Sequence, residues 1–386
     1  MTYEKIHLVK DTIDKNDIEN LSSWLSTNPR LTKGELTVEF ERKWSEWLGC
    51  KYSVFVNSGS SANLAAIYSL ILSNKLKNKK IVIPAVSWVT TVTPAIHLGL
   101  EPIMCDCDKD NLGLDVDNLR QIIIDEDPAA LILVHVLGFP NHMKEIKELC
   151  DEHNILLVED TCESLGSEYD GKKLGSIGDV STFSFYFGHH ISTIEGGMVS
   201  TDDEDLYHIL LSIRSHGWDR DLPEEKQTAL REKYGIDDFR SLYTFYYPGF
   251  NLRSTDLQAF IGIRQLEKIQ MIVDNREKNY QRYKKGIKND FWNIKPPENS
   301  FISNFNFPII TNNLTQLKDA LTENNIECRP LICGSINEHP FWYERYGKKE
   351  MPNAKIVHEK GLYIPNNHQM TEEEIDRVIK IVNENI

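Results

Sequence analysis

The sequence lacks any apolar run long enough to cross a bilayer. Its longest stretches, such as residues 129–137, stop well short of the ~20 residues a spanning helix needs. The opening MTYEKIHLVKDTIDKND contains no secretion-type apolar segment, so the expected compartment is the cytoplasm. Basic charge is also scarce: 43 Lys and Arg stand against 58 Asp and Glu, a formal net charge of -15. Nucleic acid and anionic membrane are therefore poor main partners, and any anionic ligand must meet a local basic pocket. The cysteines number seven, unevenly spaced, which suits free thiols rather than a disulfide framework. No CxxC, HxH or HExxH spacing preassembles metal ligands. Cys105 and Cys107 fall at a predicted strand, where both are expected to pack against one side of a sheet. Internal repeats and low-complexity tracts are missing too.

What is present is an alternation of helices and short apolar strands. Helical apolar spacing covers residues 14–25 and 37–48, and resumes over 61–72 after the turn Asn57-Ser58-Gly59. Buried-type strands are predicted at 80–85, 101–105, 130–136 and 155–159, most of them separated by helical segments such as 141–152. That pattern describes the crossovers of a mostly parallel sheet, an α/β core over about residues 30–265. Residues 217–247 are dense in charge and poor in apolar periodicity, which predicts a long surface excursion helping to cover a site. A long helix follows over 254–285, its stripe carried by Leu257, Ile261, Ile263, Leu266 and Ile269. Beyond it, strand-like SNFNFPII and IECRPLI alternate with helices at 314–324 and 371–383, a smaller α+β unit. The expected division is a large cofactor-binding α/β domain over 1–265 and a linking helix with a small domain over 266–386.

Four separated clusters carry chemistry. Asn57 to Asn63 feeds a glycine turn into a helix start, where backbone N–H groups and the hydroxyls of Ser60 and Ser61 can converge on a phosphate; ordinary capping is the alternative. Asp160 ends the apolar run ILLV and enters the crevice beyond a strand's carboxyl end, where a carboxylate can hold a heteroaromatic nitrogen protonated. An N-cap with Glu163 completing a capping box reads the same residues differently. Trp88, just past another strand, can stack on a flat ring or simply fill the core. The fourth cluster is STFSFYFGHHISTIEGG, residues 181–197, with Ser184, the pair His189-His190 and a glycine turn.

In this order and spacing the clusters resemble the DegT/DnrJ/EryC1/StrS family of nucleotide-sugar aminotransferases, and the likeness runs over almost the whole chain. It includes Gly34 with Glu39-Phe40-Glu41, residues 57–63, 84–88, 159–163 and 183–197, and Gly249-Phe250-Asn251-Leu252-Arg253 leading to Gly262 and Gln265-Leu266. The resemblance implies an aspartate-aminotransferase-like fold, a homodimer with shared active sites, and pyridoxal 5'-phosphate and its pyridoxamine form as cofactor. By the same likeness Gly59, Ser60 and Ser184 hold the cofactor phosphate, Trp88 stacks on the ring, Asp160 meets its nitrogen, Glu163 belongs to the cofactor set, and Asn251 is lent to the neighbouring subunit's phosphate site.

One position departs from the family's aminotransferases. Where they anchor the cofactor on a lysine, this chain has His189. Imidazole forms no such covalent link but can shuttle a proton near neutral pH. His190, next to it, is expected to point the other way, as neighbours in an extended segment do. HHISTIEGG resembles the branch of 3-dehydratases that act on GDP-4-keto-6-deoxy-D-mannose in colitose and O-antigen (lipopolysaccharide) synthesis. It also resembles CDP-sugar dehydrases, which carry a cysteine-held iron-sulfur cluster; the C-terminal region offers only Cys328 and Cys333, so no cluster is expected. The resemblance implies loss of the sugar C3 hydroxyl, with L-glutamate as amino donor, release of ammonia and His189 moving the proton. Arg220, Arg253 and Arg329 are the candidates for the substrate diphosphate, since guanidinium forks suit phosphate oxygens. Two alternatives stay open: a dehydratase or aminotransferase for another nucleotide 4-keto sugar, and a lysine-less binding subunit.

Overall fold

The computed structural model describes residues 4–289 and 291–386. Its centre is one sheet of seven strands: β1 (Tyr52–Val56), β2 (Lys80–Pro84), β3 (Glu101–Cys105), β4 (Ala130–Val134), β5 (Leu156–Asp160), β6 (Val180–Ser184) and β7 (Gly197–Thr201). They lie in the order β3-β2-β4-β5-β6-β7-β1. The five strands from β3 to β6 are parallel, whereas β7 runs antiparallel to both β6 and β1. Period-2 alternation sorts their apolar side chains: Val82, Leu131, Leu133 and Leu157 join one core, while Ile81, Ile83, Ile132 and Val158 join the other. Both faces are covered by helices, so the strands read as continuous apolar runs.

The helices of this half are α1 (Lys15–Leu25), α2 (Glu35–Leu48), α3 (Gly59–Leu72), α4 (Val89–His97), α5 (Val116–Glu126), α6 (Met143–His153) and α7 (Glu204–Arg214). An aromatic cluster fixes α2 to the sheet: Phe40 meets Phe55 edge-on at 4.9 Å, and Trp44 meets Phe185 at 4.9 Å. Each such ring contributes about 1.5–3 kcal/mol by burial. Because Phe183 and Phe185 are both held in that cluster, Ser184 between them is turned to the opposite face of β6. The buried guanidinium of Arg214 pairs with Glu41 and donates to the Phe55 carbonyl at 3.1 Å, while Glu41 accepts the Phe55 N–H at 2.8 Å. That ion pair ties α2, β1 and α7 together beneath the start of α3.

The structure adds to one expectation and corrects another. The excursion at 217–247 is partly helical, with α8 (Glu224–Tyr234) and α9 (Asp238–Ser241). α8 buries none of its residues, so it has no apolar stripe for sequence periodicity to register. Cys105 and Cys107 are both buried but do not share a side: β3 ends at Cys105, the chain turns, and Cys107 enters the core on the other face of the sheet. The strands β1, β6 and β7 escaped the sequence reading, and the capping-box alternative fails because no helix begins after Asp160.

α10 (Asp256–Gly286) is a single helix of 31 residues that packs on α2 at one end and on the helix Glu372–Asn383 at the other. The last part of the chain adds a three-stranded antiparallel sheet of β8 (Phe307–Ile310), β9 (Arg329–Pro330) and β10 (Gly361–Ile364), with β10 central. Among the described residues no helix is long and apolar enough to cross a membrane.

Candidate active site

The carboxyl ends of β4, β5 and β6, the start of α3 and the edge of the small sheet enclose a cavity of about 370 Å³. Ser58, Gly59 and Ser60 enter it from α3, Trp88, Thr90 and Thr91 from α4, Asp160, Cys162 and Glu163 from the end of β5, and Ser184 from β6. His189, Phe305, Arg329 and Tyr363 complete its walls. No lysine is among its lining residues.

The start of α3 is built as an anion cradle. Ser58 caps the helix by accepting the Ser61 N–H at 3.0 Å, which leaves the first amides, Gly59 and Ser60, as the ordinary orphans of a helix N-terminus. A Cβ placed on Gly59 would lie 2.5 Å from the Ser184 Cβ, so only glycine lets the two backbones approach. The Ser60 hydroxyl reaches Thr90 Oγ1 at 3.2 Å, adding hydroxyls to the amides.

Asp160 is buried at the foot of the cavity and its carboxylate is tightly held. Oδ2 accepts from Asn63 Nδ2 and Thr91 Oγ1, each at 2.8 Å, and Oδ1 accepts the Cys162 N–H at 3.1 Å. Asn63 is itself oriented by Thr182, whose hydroxyl donates to its Oδ1 at 2.6 Å. Strand alternation sends the neighbouring Glu159 the other way, where it accepts N–H groups from Gly175 at 2.9 Å and Ile177 at 2.8 Å and pairs with buried His135 at 3.1 Å. Glu159 is therefore consumed by structure, and of these two neighbours Asp160 is the one that reaches the cavity.

Glu163 sits on the cavity wall and accepts the Leu137 N–H at 3.0 Å. Burial, reinforced by the charge of Asp160, pushes its carboxyl up to about 8, so it is protonated at neutral pH and can donate. His189 shows the opposite effect. Burial, the largest influence, lowers its imidazole to about 4 although Asp160 pulls upward, so it is neutral at pH 7. Its Nδ1 is buried without a partner among the described residues, while the rest of the ring is partly open to the cavity. The ring leans on Phe305, centroids 5.4 Å apart at 34°. His190 is fully buried and is not among the cavity's lining residues, although the segment is not extended as expected. The segment is a turn, with the His189 N–H on the Tyr186 carbonyl at 2.9 Å, and His190 also flanks Phe305, at 5.9 Å, while its Nε2 meets the Ser303 carbonyl at 3.0 Å.

Thus Gly59, Ser60, Trp88, Asp160, Glu163, Ser184, His189 and Arg329 gather at one cavity, and Trp88 is 55% exposed there rather than part of the core. Asn251, Arg220 and Arg253 lie outside it, around Trp218. The Arg220 guanidinium stacks 4.0 Å from that indole, Arg253 lies 5.6 Å from it, and Arg253 Nε donates to Asn251 Oδ1 at 3.1 Å. Sequence reasoning missed Thr91, Phe305 and Tyr363, and left Asn63 without a role. Asn63 could have been found, since it follows Gly59 by four residues and so shares its helix face.

The chain matches the DegT/DnrJ/EryC1/StrS aminotransferase family over residues 11–383. It belongs to that family. It is 35% identical to the GDP-4-keto-6-deoxy-D-mannose 3-dehydratase of Yersinia pseudotuberculosis over 388 aligned positions, 97% of each chain. The solved structure of E. coli GDP-4-keto-6-deoxy-D-mannose-3-dehydratase with bound hydrated PLP superposes with a TM-score of 0.89 at 31% identity, covering 98% of this chain and all of that one. A structure of GDP-4-keto-6-deoxymannose-3-dehydratase with a trapped PLP-glutamate geminal diamine also gives 0.89, at 32% identity over 97% and 99% of the two chains. The fold is thus the aminotransferase-like fold of pyridoxal-phosphate enzymes.

Proposed function

We propose that this chain is a pyridoxal-phosphate-dependent dehydratase that removes the C3 hydroxyl of GDP-4-keto-6-deoxy-D-mannose, with L-glutamate as amino donor and ammonia released. One observation carries this reading over a transaminase: the cavity that gathers Asp160, Ser184 and Trp88 is lined by His189 and by no lysine. The names and full-length identity of the relatives point the same way.

The residues present fit the cofactor. The Gly59–Ser184 contact and the α3 start suit its phosphate, half-exposed Trp88 offers a stacking face, and the held carboxylate of Asp160 suits a ring nitrogen. When bound, the group supplies an electron sink conjugated to the sugar. Asp160 holds a proton on the ring nitrogen and so deepens that sink. Protonated Glu163 donates a hydrogen bond from the same wall. His189, neutral at rest, would take the proton given up at the cofactor's C4′ carbon and pass it to the departing C3 oxygen, which leaves as water. Arg329 faces the cavity and takes substrate oxygens; Arg220 and Arg253, clustered outside this chain's own cavity, act on the diphosphate.

That separation supports a homodimer with shared sites, in which Asn251 serves the partner's phosphate cradle. The reading carries with it a cytoplasmic location, a role in deoxysugar and lipopolysaccharide synthesis, and a division into a cofactor-binding domain, 1–265, and a small domain with its linking helix, 266–386. The deciding experiment incubates the chain with pyridoxal phosphate, glutamate and GDP-4-keto-6-deoxymannose while following ammonia and the mass of the sugar. Loss of the C3 oxygen with matching ammonia, abolished in His189→Asn, is the expected result. An amino sugar as the product would overturn it.

A further inference from the structure

Arg276 lies in the middle of α10 and is only 1% exposed. Its hydrogen bonds go to main-chain carbonyls: Nη1 donates to Phe305 at 2.7 Å, to Asn304 at 3.4 Å and to Asn366. Its Nε is buried with no acceptor among the described residues. Burial lowers the guanidinium to about 9, which still leaves it charged at neutral pH, and among the described residues no carboxylate contributes to its environment. A buried cation satisfied only by carbonyl dipoles costs stability, and a role beyond packing would explain its place.

What it faces supplies the role. The Arg276 Cζ lies 5.9 Å from the centroid of the Phe305 ring, against which His189 and His190 also lean. The Phe305 main chain is pinned twice, its carbonyl by Arg276 and its N–H by the Leu137 carbonyl at 3.0 Å. Leu137 is in turn the donor to Glu163. We propose that Arg276 is a positioning residue for His189, fixing the Phe305 wall on which the imidazole rests and setting an unpaired positive charge behind that wall. The inference rests on His189 being the proton carrier of the reaction.

The groups around His189 show why a cation is useful there. Burial, the largest influence, keeps the ring neutral, while Asp160, from the end of β5, and the Cys162 main chain favour its protonated form. Arg276, from α10, opposes it. Glu163 shares the cavity but is protonated, so it adds no charge at neutral pH. His190, next in the chain, and His368, from the C-terminal half, are both held low by burial and by Arg276, so neither competes for the proton.

The test follows imidazole resonances of the full-length chain labelled at its histidine rings, with His189→Asn supplying the assignment. Arg276→Gln keeps a donor and removes the charge; Arg276→Lys keeps the charge and loses the fork. The His189 midpoint is expected to rise in the glutamine variant, and to stay near the wild-type value in the lysine variant. An unmoved midpoint in Arg276→Gln, or equal movement in both, would overturn the proposal. If the glutamine variant does not fold, Phe305→Leu carries the test: it keeps the cation and removes the wall, so the midpoint stays low while the ring loses its single orientation. A rise to the ordinary histidine value there defeats the idea. Because the titration is read without turnover, its failure is distinct from failure of the dehydratase reading.

Discussion

Asn63 Nδ2 stands 2.8 Å from Asp160 Oδ2, a contact that joins the second turn of α3 to the end of β5 across 97 residues of sequence. It makes the phosphate cradle and the ring-nitrogen carboxylate one rigid unit, since the same asparagine is held by Thr182 on β6. Asn63→Ala leaves a buried carboxylate oxygen and a buried hydroxyl each short of a partner. The expected loss is about 1–3 kcal/mol of stability together with weaker cofactor binding, read by urea denaturation and by spectral titration with pyridoxal phosphate. Unchanged stability would mean that water replaces the amide without penalty.

Gly59→Ala tests the cradle. Its Cβ would sit 2.5 Å from the Ser184 Cβ and 2.9 Å from the Ser184 hydroxyl oxygen, so either β6 or the start of α3 must shift. Cofactor affinity is expected to fall tenfold or more, about 1.4 kcal/mol, and the double variant Gly59→Ala with Ser184→Gly should relieve the clash while still lacking the hydroxyl. Equal affinity in wild type and Gly59→Ala would show that the close approach has no bearing on binding.

Two half-buried groups of the cavity give opposite pH signatures. The folded-state value of Glu163, about 8, exceeds its ordinary carboxylate value, so the native state binds the extra proton; this contribution is full below about pH 4.5 and is lost as pH rises through 8. His189, lowered to about 4, binds its proton more readily when unfolded, so stability falls as pH drops from about 6.5 towards 4. In cofactor-free protein Glu163→Gln should flatten the alkaline decline in Tm without touching the acidic one, and His189→Asn should do the reverse. Melting curves between pH 4 and 9 decide the matter; a substitution acting on the wrong limb would reverse the assignment.

Ile194 is a β-branched residue in the left-handed region, φ 72, and half exposed beside Glu195 at the cavity rim. Left-handed backbone costs such a residue roughly 1–2 kcal/mol, so Ile194→Gly should gain up to about 1 kcal/mol after the entropy cost of glycine. If stability rises while turnover falls, the strained turn is part of how Glu195 is presented.

Much of this was legible because strands and motifs are local. The alternation of apolar runs with helical spacing gave the layered core, and the residues that follow β2, β5 and β6 are those that any such sheet offers to a ligand. Arg276 and Phe305 were invisible for the opposite reason. They meet His189 only through tertiary packing, from segments more than 80 residues away, and an arginine amid charged residues on a long helix reads as solvated surface. α8 was hidden because it presents no apolar face, and Arg220 and Arg253, candidates for the diphosphate, and Asn251, expected to serve a neighbouring subunit, are folded together around Trp218 outside this chain's own cavity.

The missing lysine reaches beyond the reaction. On the proposed reading the coenzyme has no covalent tether and is held by a reversible equilibrium, so the loaded fraction of this protein should follow the ambient supply of the vitamin-derived compound by mass action. Thermal resistance should then climb logarithmically with added pyridoxal phosphate, and prolonged dialysis alone should empty the pocket without any carbonyl-trapping reagent. The catalyst behaves towards its own coenzyme as it does towards a second, diffusible substrate.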